Sequence, residues 1–255
     1  MRNVLAIAGR EWKAYFASPI AYFVVGLFAL LFGWFYFSIL VLFVDQSLRM
    51  GGMGMGGPVN VNQMMVRPLL LNTSVVVLFF LPMVTMRSLA EEKRSGTFEL
   101  LLTSPLTDAQ IVLGKFFGAL GLYAAMLAVT LVHMGLLFWF GNPEWKPIAT
   151  SYLGLLLMGG SFISIGLFFS SVTRNQIVAV ALTFATLLLL WVINWVADSA
   201  GPTLRAVVNA LSITDRFDDF SKGVVDTKNI VYYLSFITFG LFLTAKSVDS
   251  ERWRG

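Results

Sequence analysis

The residues best suited to chemistry in this sequence lie in one short charged segment, Glu91 to Pro105. The segment reads Glu-Glu-Lys-Arg-Ser-Gly-Thr-Phe-Glu-Leu-Leu-Leu-Thr-Ser-Pro, in which dense charge is followed by an apolar stripe. Thr97 is a candidate cap for a short helix whose first turn holds Glu99, and Pro105 is expected to end that helix. Such a helix supports contact with a soluble partner. A solvated connector lying on a membrane explains the same residues equally well.

Other kinds of site find little support. The chain has no cysteine and one histidine, His133, so disulfides and thiolate or multi-histidine metal sites are excluded. The apolar stretches hold no nucleophile triad, carboxylate pair or metal cluster, and we predict no catalytic residue and no metal site. For His133 we favour an interhelical hydrogen bond or an interface position over a proton relay.

Two glycine patterns resemble nucleotide-binding motifs only superficially. Gly52, Gly54 and Gly57 fit G-x-G-x-x-G, but no strand precedes them and no helix begins there. Gly114-Lys115 is followed by Phe116, so the phosphate-binding loop G-x-x-x-x-G-K-[ST] is absent. The run 50–58 is rich in glycine and methionine, and we expect a mobile loop there rather than a Cu(I) site.

The elements that must position these residues are apolar. Hydrophobic residues make up 57% of the 255 residues and charged residues only 13%, against roughly 25% in soluble domains. A hydrocarbon core about 30 Å thick requires roughly 20 apolar residues of helix. Six charge-free stretches reach or approach that length: Ala14–Val44, Pro68–Met86, Phe116–Pro143, Pro147–Thr173, Asn175–Ala197 and Asn229–Ala245. The sequence therefore predicts an all-α polytopic membrane protein with six transmembrane helices.

We predict one transmembrane domain over residues 1–255. Its segments are an interfacial helix (1–19), a first span (20–44), an outer Gly/Met-rich loop (45–67), a second span (68–86), a cytoplasmic loop (87–110), a third span (111–141), a fourth (148–172), a fifth (176–197), an outer re-entrant or interfacial region (198–228), a sixth span (229–246) and a cytoplasmic tail (247–255). The first apolar run is too long for a signal-peptide core, so we expect the first span to be retained.

The amino-terminal segment is amphipathic at helical spacing. Its apolar arc contains Val4, Leu5, Ala8, Trp12, Tyr15 and Phe16, and its polar face contains Arg2, Asn3, Arg10 and Lys13. A basic face opposite aromatic residues is typical of a helix lying in the headgroup plane, and Ser18-Pro19 would then turn the chain into the bilayer. The alternative is a simple extension of the first span.

Small residues recur within the spans. Gly114, Gly118 and Gly121 occur at the start of the third span, and Gly160 belongs to a Gly/Ser-rich stretch of the fourth. Small residues let helices approach closely in lipid. We expect packing within the subunit, with a subunit interface or a transport path as the alternatives.

The distribution of basic residues favours cytoplasmic termini. In the predicted topology, 11 of the 18 Lys and Arg residues lie on the same side of the membrane as the amino terminus, and 7 lie on the opposite side. Cytoplasmic loops collect basic residues, which also accounts for the net charge of +4 without nucleic acid.

The segment Glu91–Pro105 resembles the signature of type-2 ATP-binding-cassette (ABC) transporter permeases. The matching residues surround the family's coupling helix, which contacts the ATPase. They are Glu91, Gly96, Thr97, Glu99, Leu102 and Pro105, and Gly114-Lys115 continues the pattern. A second patch, Arg216–Asp226 followed by Tyr232–Ser235, is similar to the branch that includes gliding-motility-associated and copper-maturation permeases.

The resemblance implies an exporter-like permease in a bacterial inner membrane that is not itself an enzyme. ATP and Mg would bind to a partner ATPase dimer, and this chain would bind no cofactor. A second permease copy or a relative would complete the complex, with room for an accessory outer-domain membrane subunit. Glu91 and Glu99 would supply polar docking contacts, and Phe98 and Leu102 apolar ones. Phe217, Phe220 and Gly223 would lie near the external exit.

Three other functions stay open on the sequence. An ATPase-driven scaffold for gliding motility or envelope assembly would share the fold without transporting a cargo. A secondary transporter driven by an ion gradient predicts charges within the spans, and the six stretches contain no Asp, Glu, Lys or Arg. An enzyme acting inside the bilayer is the weakest interpretation, because a catalytic constellation is missing from the sequence.

Overall fold

The computed structural model describes residues 2–52, 60–103, 105–197 and 212–252. The side chains of residues 50–52, 102 and 194–197 are outside this description. Several predictions therefore lie outside the described residues: the centre of the Gly/Met-rich loop, the first part of the 198–228 region (198–211), the end of the tail and the contacts of Leu102.

The described chain consists of helices and turns. In chain order the helices are α1 (Arg2–Ala17), α2 (Pro19–Gly52), a π-helical turn (Asn62–Val66), α3 (Arg67–Thr85), α4 (Ala90–Ser95), α5 (Thr97–Leu102), α6 (Asp108–Phe140), α7 (Trp145–Val172), α8 (Gln176–Ala197), α9 (Ile213–Ser221) and α10 (Thr227–Arg252). Six helical segments are long and apolar enough to cross a membrane. They are α2, α6, α7, α8, α10 and the continuous segment Asn62–Ser95, which includes α3. The prediction of an all-α protein with six membrane-crossing helices is confirmed.

Helix ends extend into segments that we predicted as loops or tail. Helix α2 continues past Val44 to Gly52, and its added turn includes an ion pair between Asp45 and Arg49 at 3.0 Å. Helix α10 likewise continues to Arg252, beyond the predicted end of the sixth span at residue 246. Charged side chains do not end a helix, because they extend into solvent while the backbone hydrogen bonds continue.

Local sequence explains where other helices begin. Thr107 and Gln110 form a reciprocal capping box at the start of α6, with the Thr107 hydroxyl accepting from the Gln110 amide at 3.3 Å. Ser212 caps α9 by accepting from the Asp215 amide at 3.1 Å.

Helix α7 lies at the centre and packs against α3, α6, α8, α9 and α10. Its small residues make this possible, because they allow bulky neighbours to lie directly on its backbone. The close pairs are Gly154 with Phe220, Gly159 with Tyr123, Gly160 with Ile237, Gly166 with Thr85, and Ser164 with Gly240.

The ends of the spans define two faces. One, the terminal face, holds α1, α4, α5, the start of α6 and the end of α10, and it includes both ends of the described chain. The other, the distal face, holds the π-helical turn, α9 and the start of α7. There Asn62 and Glu144 exchange two hydrogen bonds of 3.0 Å.

Helix α1 packs alongside the first turns of α6. Asn3 contacts Gln110, and Ile7 and Glu11 lie on Gly114 and Gly118. These matched four-residue steps show two helices running side by side in one direction. A groove of glycines on α6 accepts one face of α1. The position of α1 in the headgroup plane stays a prediction.

Candidate functional site

Helices α4 and α5 form a tight helical hairpin on the terminal face. Gly96 joins them with a φ of +73°, in the left-handed region that favours glycine. The predicted cap at Thr97 is wrong, because Gly96 occupies the capping position and Thr97 is the first helical residue. The Thr97 hydroxyl instead lies 2.9 Å from the Ser95 hydroxyl. The hairpin therefore depends on the backbone freedom of Gly96.

The end of α5 is fixed by Thr103. Its amide donates to the Glu99 carbonyl at 3.0 Å, and its hydroxyl donates to the same oxygen at 3.1 Å. Pro105 follows two residues later and is exposed. The helix thus ends before the proline, in keeping with the restriction that proline places on preceding residues.

Phe98 attaches α5 to the transmembrane helices. Its side chain is 6% exposed and packs with Leu89, Val112 and Val248, while the Lys93 ammonium lies 5.2 Å from its ring centre. We predicted Phe98 as an apolar docking contact. In the described conformation the ring is covered by the chain's own residues, so a contact of Phe98 with an ATPase stays a prediction.

The exposed surface of α5 carries different residues. Glu99 is exposed, and Leu100 is 72% exposed although it is a large apolar side chain. Sequence analysis did not single out Leu100. With Phe98 on the buried face, the helical period of 3.6 residues would have placed Leu100 on the opposite side.

Helix α4 is held by hydrogen bonds to α7 and α8. The Ser170 hydroxyl accepts from the amides of Leu89 and Ala90, both at 3.0 Å, so it satisfies donors at the start of α4. Glu91 accepts from the Gln176 side chain at 2.5 Å. Glu91 is exposed, but in this structure it holds α4 to α8.

A buried lysine connects three elements beneath this hairpin. The Lys115 side chain is 1% exposed, and its ammonium donates to Glu92 at 2.8 Å, to Glu11 at 3.1 Å and to the Ser88 carbonyl at 2.6 Å. Arg10 adds a second cation at 3.1 Å from Glu11. Helices α1, α4 and α6 therefore meet in one ion-pair network.

Sequence analysis noted Lys115 only as part of the Gly114-Lys115 pair. A lysine placed one residue before the charge-free stretch Phe116–Pro143 was the available signal.

A cleft of about 520 Å³ opens between α1 and the hairpin. Its walls come from α1, α4, α5 and the start of α6, and its lining residues include Arg10, Glu91, Thr97, Leu100, Leu101 and Lys115. The cleft combines charges at its base with exposed leucine at its rim. Such a surface suits a folded partner that presents both polar and apolar side chains.

The glycines of α6 contact α1 of the same chain. A methyl group at Gly118 would lie 2.6 Å from the Glu11 β-carbon, and Gly121 faces the Trp12 ring equally closely. Gly160 on α7 faces Ile237 of α10 and Phe116 of α6. These positions, together with Gly114, therefore act in packing within the subunit in this structure.

On the distal face, Phe217 and Phe220 are buried against Gly154 of α7. Gly223 follows α9 with a φ of +86° and lies against Pro147. Neither ring lines an open passage in this conformation, because α9 packs directly on α7. Their role near an exit stays a prediction.

Asp218 holds the same region together by charge. It accepts from Arg67 of α3 and from Lys222, both at 2.6 Å. Partial burial would raise the pKa of Asp218, but the hydrogen bonds from Lys222 and Arg67 and their charges outweigh it, so the pKa is lowered from its usual value.

His133 lies between α2 and α6 in the apolar region. Its ring centre is 5.3 Å from the ring centres of both Phe32 and Tyr36. In the described part of the chain its Nδ1 has no hydrogen-bond partner. Of the two interpretations that we favoured, the contacts match a position at a helix interface.

Comparison with known proteins identifies the family of this chain. Residues 58–196, just over half of the chain, match the family described as ABC-2 family transporter protein. The probable multidrug ABC transporter permease YbhR of Escherichia coli is 35% identical over 94 residues, in both strain K12 and strain O157:H7. The match covers 36% of this chain and 25% of each relative, so it spans about a quarter of their length.

Proposed function

Because this chain belongs to the ABC-2 transporter family, we propose that it is the transmembrane permease subunit of an ATP-driven transporter. It exports a substrate out of a bacterial inner membrane, while a separate ATPase dimer binds ATP and Mg. The chain itself is not an enzyme. A second permease, identical or related, completes the transmembrane part.

The observation that carries this proposal is the exposed side of α5 at the rim of the cleft. Leu100 is 72% exposed on the terminal face, beside the exposed carboxylate of Glu99. Together the Leu100 side chain and the Glu99 carboxylate would give a soluble partner one apolar and one polar contact at the rim of the cleft. In the proposal the ATPase contacts Glu99 and Leu100 and inserts into the cleft between α1 and α5, and the terminal face is cytoplasmic.

The contacts behind α5 supply a route for movement. Phe98 joins α5 to α6 and α10 through Val112 and Val248. Lys115 joins α4 to α1 and α6. A displacement of the hairpin by the ATPase would therefore also move α1, α6 and α10. Helices α6 and α10 cross the membrane, and α1 leads into α2. ATP binding drives the change if the ATPase contacts differ between its two states.

A pull-down tests the docking surface. We expect Glu99→Arg and Leu100→Glu to reduce recovery of a co-expressed ABC ATPase from mild-detergent membranes by at least about tenfold, the effect of losing roughly 1.4 kcal/mol of binding free energy. Lys228→Glu, an exposed change on the distal face, is the matched control and should retain wild-type recovery. Equal recovery with all three variants would show that the ATPase does not dock on α5.

Accumulation of substrate in sealed vesicles separates transport from mechanical work. A transporter accumulates its substrate only with ATP, and Glu99→Arg removes that accumulation. A scaffold for motility or envelope assembly, the alternative that keeps the same ATPase, would hydrolyse ATP in the complex without accumulation. Accumulation of substrate driven by an ion gradient in the absence of ATP would instead support a secondary transporter.

A further inference from the structure

A second, smaller cavity lies where α1, α2, α3 and α6 meet. It has a volume of about 160 Å³, and its apolar walls are Ile20, Ala21, Val24, Met83, Val84 and Leu122. Ile20 and Met83 are 41% and 50% exposed, so the cavity opens on the outside of the helix bundle. We call it the α2–α3 crevice. An apolar cavity of about 150 Å³ is large enough to bind benzene, so this one accommodates part of an acyl chain.

The crevice lies at the edge of the apolar region. Five of its six apolar residues belong to the charge-free stretches Ala14–Val44 and Pro68–Met86, and Arg87 follows the second stretch directly. Arg87 lines both this crevice and the larger cleft. In a membrane lipid the phosphate likewise lies at the edge of the apolar region and the acyl chain lies inside it, so the phosphate matches Arg87 and the chain matches the crevice.

Charged groups meet at the mouth of the crevice. Glu11 also lines the crevice, and Lys115 and Arg10 lie 3.1 Å from its carboxylate. Arg87 is exposed, and the ion pair that it makes within the described residues is long, 4.0 Å from its Nε to Glu91. The remaining N–H groups of the Arg87 guanidinium can therefore donate to a phosphate at the mouth.

Tyr15 joins α1 to the end of α3 at the wall of the crevice. Burial raises the pKa of Tyr15 to about 12, so its hydroxyl is protonated at neutral pH. That hydroxyl donates to the Val84 carbonyl at 3.3 Å and lies 3.5 Å from the Ser88 hydroxyl.

We propose that the α2–α3 crevice binds one anionic phospholipid of the leaflet at the terminal face. One acyl chain enters between Ile20 and Met83, and the phosphate contacts the Arg87 guanidinium. A guanidinium offers paired donors that match phosphate oxygens. Binding at this site needs neither ATP hydrolysis nor an ATPase partner, so the site stands apart from the proposed transport function.

Lipid competition in detergent tests the site. Delipidated protein is mixed with equal amounts of phosphatidylglycerol and phosphatidylcholine, and bound lipid is counted by native mass spectrometry. Wild type should retain one phosphatidylglycerol in preference. Arg87→Gln should lower that preference about fivefold, which corresponds to about 1 kcal/mol for one basic side chain. Arg94→Gln, an exposed arginine on α4 that does not line the crevice, is the control and should keep it.

A second variant guards against a folding defect. Ala14 is exposed and lines both cavities. Ala14→Phe should fill the entrance and lower binding of both lipids while the gel-filtration profile stays that of wild type.

Three results would overturn the proposal. The first is equal phosphatidylglycerol retention by wild type and both variants. The second is full displacement of the lipid by millimolar glycerol phosphate, which would indicate a site for a soluble anion. The third is loss of a second protein copy in Arg87→Gln with lipid retention unchanged, which would indicate a protein interface.

Discussion

Lys115 shows how one charged side chain can organise the terminal face. A lysine ammonium that is removed from water requires compensating anions and acceptors, because burial strongly disfavours an isolated charge. Glu11 of α1, Glu92 of α4 and the Ser88 carbonyl just before α4 supply them. The same residue therefore fixes the position of α1 and of the α4–α5 hairpin.

Removal of Lys115 should destabilise the protein. Lys115→Met leaves two largely buried carboxylates with only Arg10 nearby, and breaking a buried pair costs roughly 3–5 kcal/mol. SDS titration of purified protein in mixed micelles measures the loss. Lys246→Met removes an exposed ion pair with Asp249 and should cost less than about 1 kcal/mol. Equal losses for the two variants would contradict the role of the network.

Asp218 predicts a dependence of stability on pH. Its native pKa is lowered, so its contribution is fully present above the unfolded value near 4 and is lost as the pH falls through the native pKa. Asp218→Asn should therefore be less stable than wild type at pH 7 by less than about 1 kcal/mol, since its partners are partly exposed. The difference should shrink as the pH falls below the unfolded value and through the lowered native pKa. A difference that does not shrink in acid would exclude this explanation.

Among the helices, the glycines of α6 decide where α1 lies. Three of them face α1 at spacings of four and three residues, so they form a continuous groove along one side of the helix. Gly135 lies in the same helix, but a methyl group added there would have no other atom within 4 Å, so this glycine faces open space. Position on the helix, rather than glycine itself, determines the packing.

A matched pair of alanine substitutions tests this groove. At Gly118 the added methyl group would lie 2.6 Å from the Glu11 β-carbon, so α1 must shift, at a cost of about 1–3 kcal/mol. Gly135→Ala should be neutral or stabilising by up to about 1 kcal/mol, because alanine favours helix. Thermal unfolding in detergent measures both. If Gly118→Ala were as stable as Gly135→Ala, α1 would not pack here in solution.

Over the whole molecule, burial is unequal among the spans. Helix α7 is enclosed by its neighbours, whereas α2, α8 and α10 expose large apolar side chains such as Trp34 and Phe239. An apolar surface of this extent is stable in lipid or against another membrane subunit. The terminal face carries the ion-pair network and the cleft, and the distal face carries the Asp218 cluster, so the two faces offer different surfaces to partners.

Cysteine labelling tests which face is cytoplasmic. The chain contains no cysteine, so single substitutions can be made in the natural sequence. In intact cells a membrane-impermeant maleimide should label Lys222→Cys on the distal face and should not label Arg94→Cys on the terminal face. After permeabilisation both should react. The opposite pattern would place the terminal face outside and would exclude docking of a cytoplasmic ATPase there.

The sequence alone determined the six membrane-crossing helices. Span length depends on local hydrophobicity, because about twenty apolar residues have few alternatives to a helix in lipid. This feature requires information from neighbouring residues only.

The tertiary structure decided which faces of those helices meet. Phe98 and Leu100 are both large apolar residues of α5, yet Phe98 is buried against Val248 and Leu100 is exposed. Glu11 and Lys115 form an ion pair although they are 104 residues apart in the sequence. Contacts between distant segments depend on the packing of several helices at once, so local periodicity could not assign them. The cleft, the α2–α3 crevice and the path of α1 along α6 all follow from these contacts.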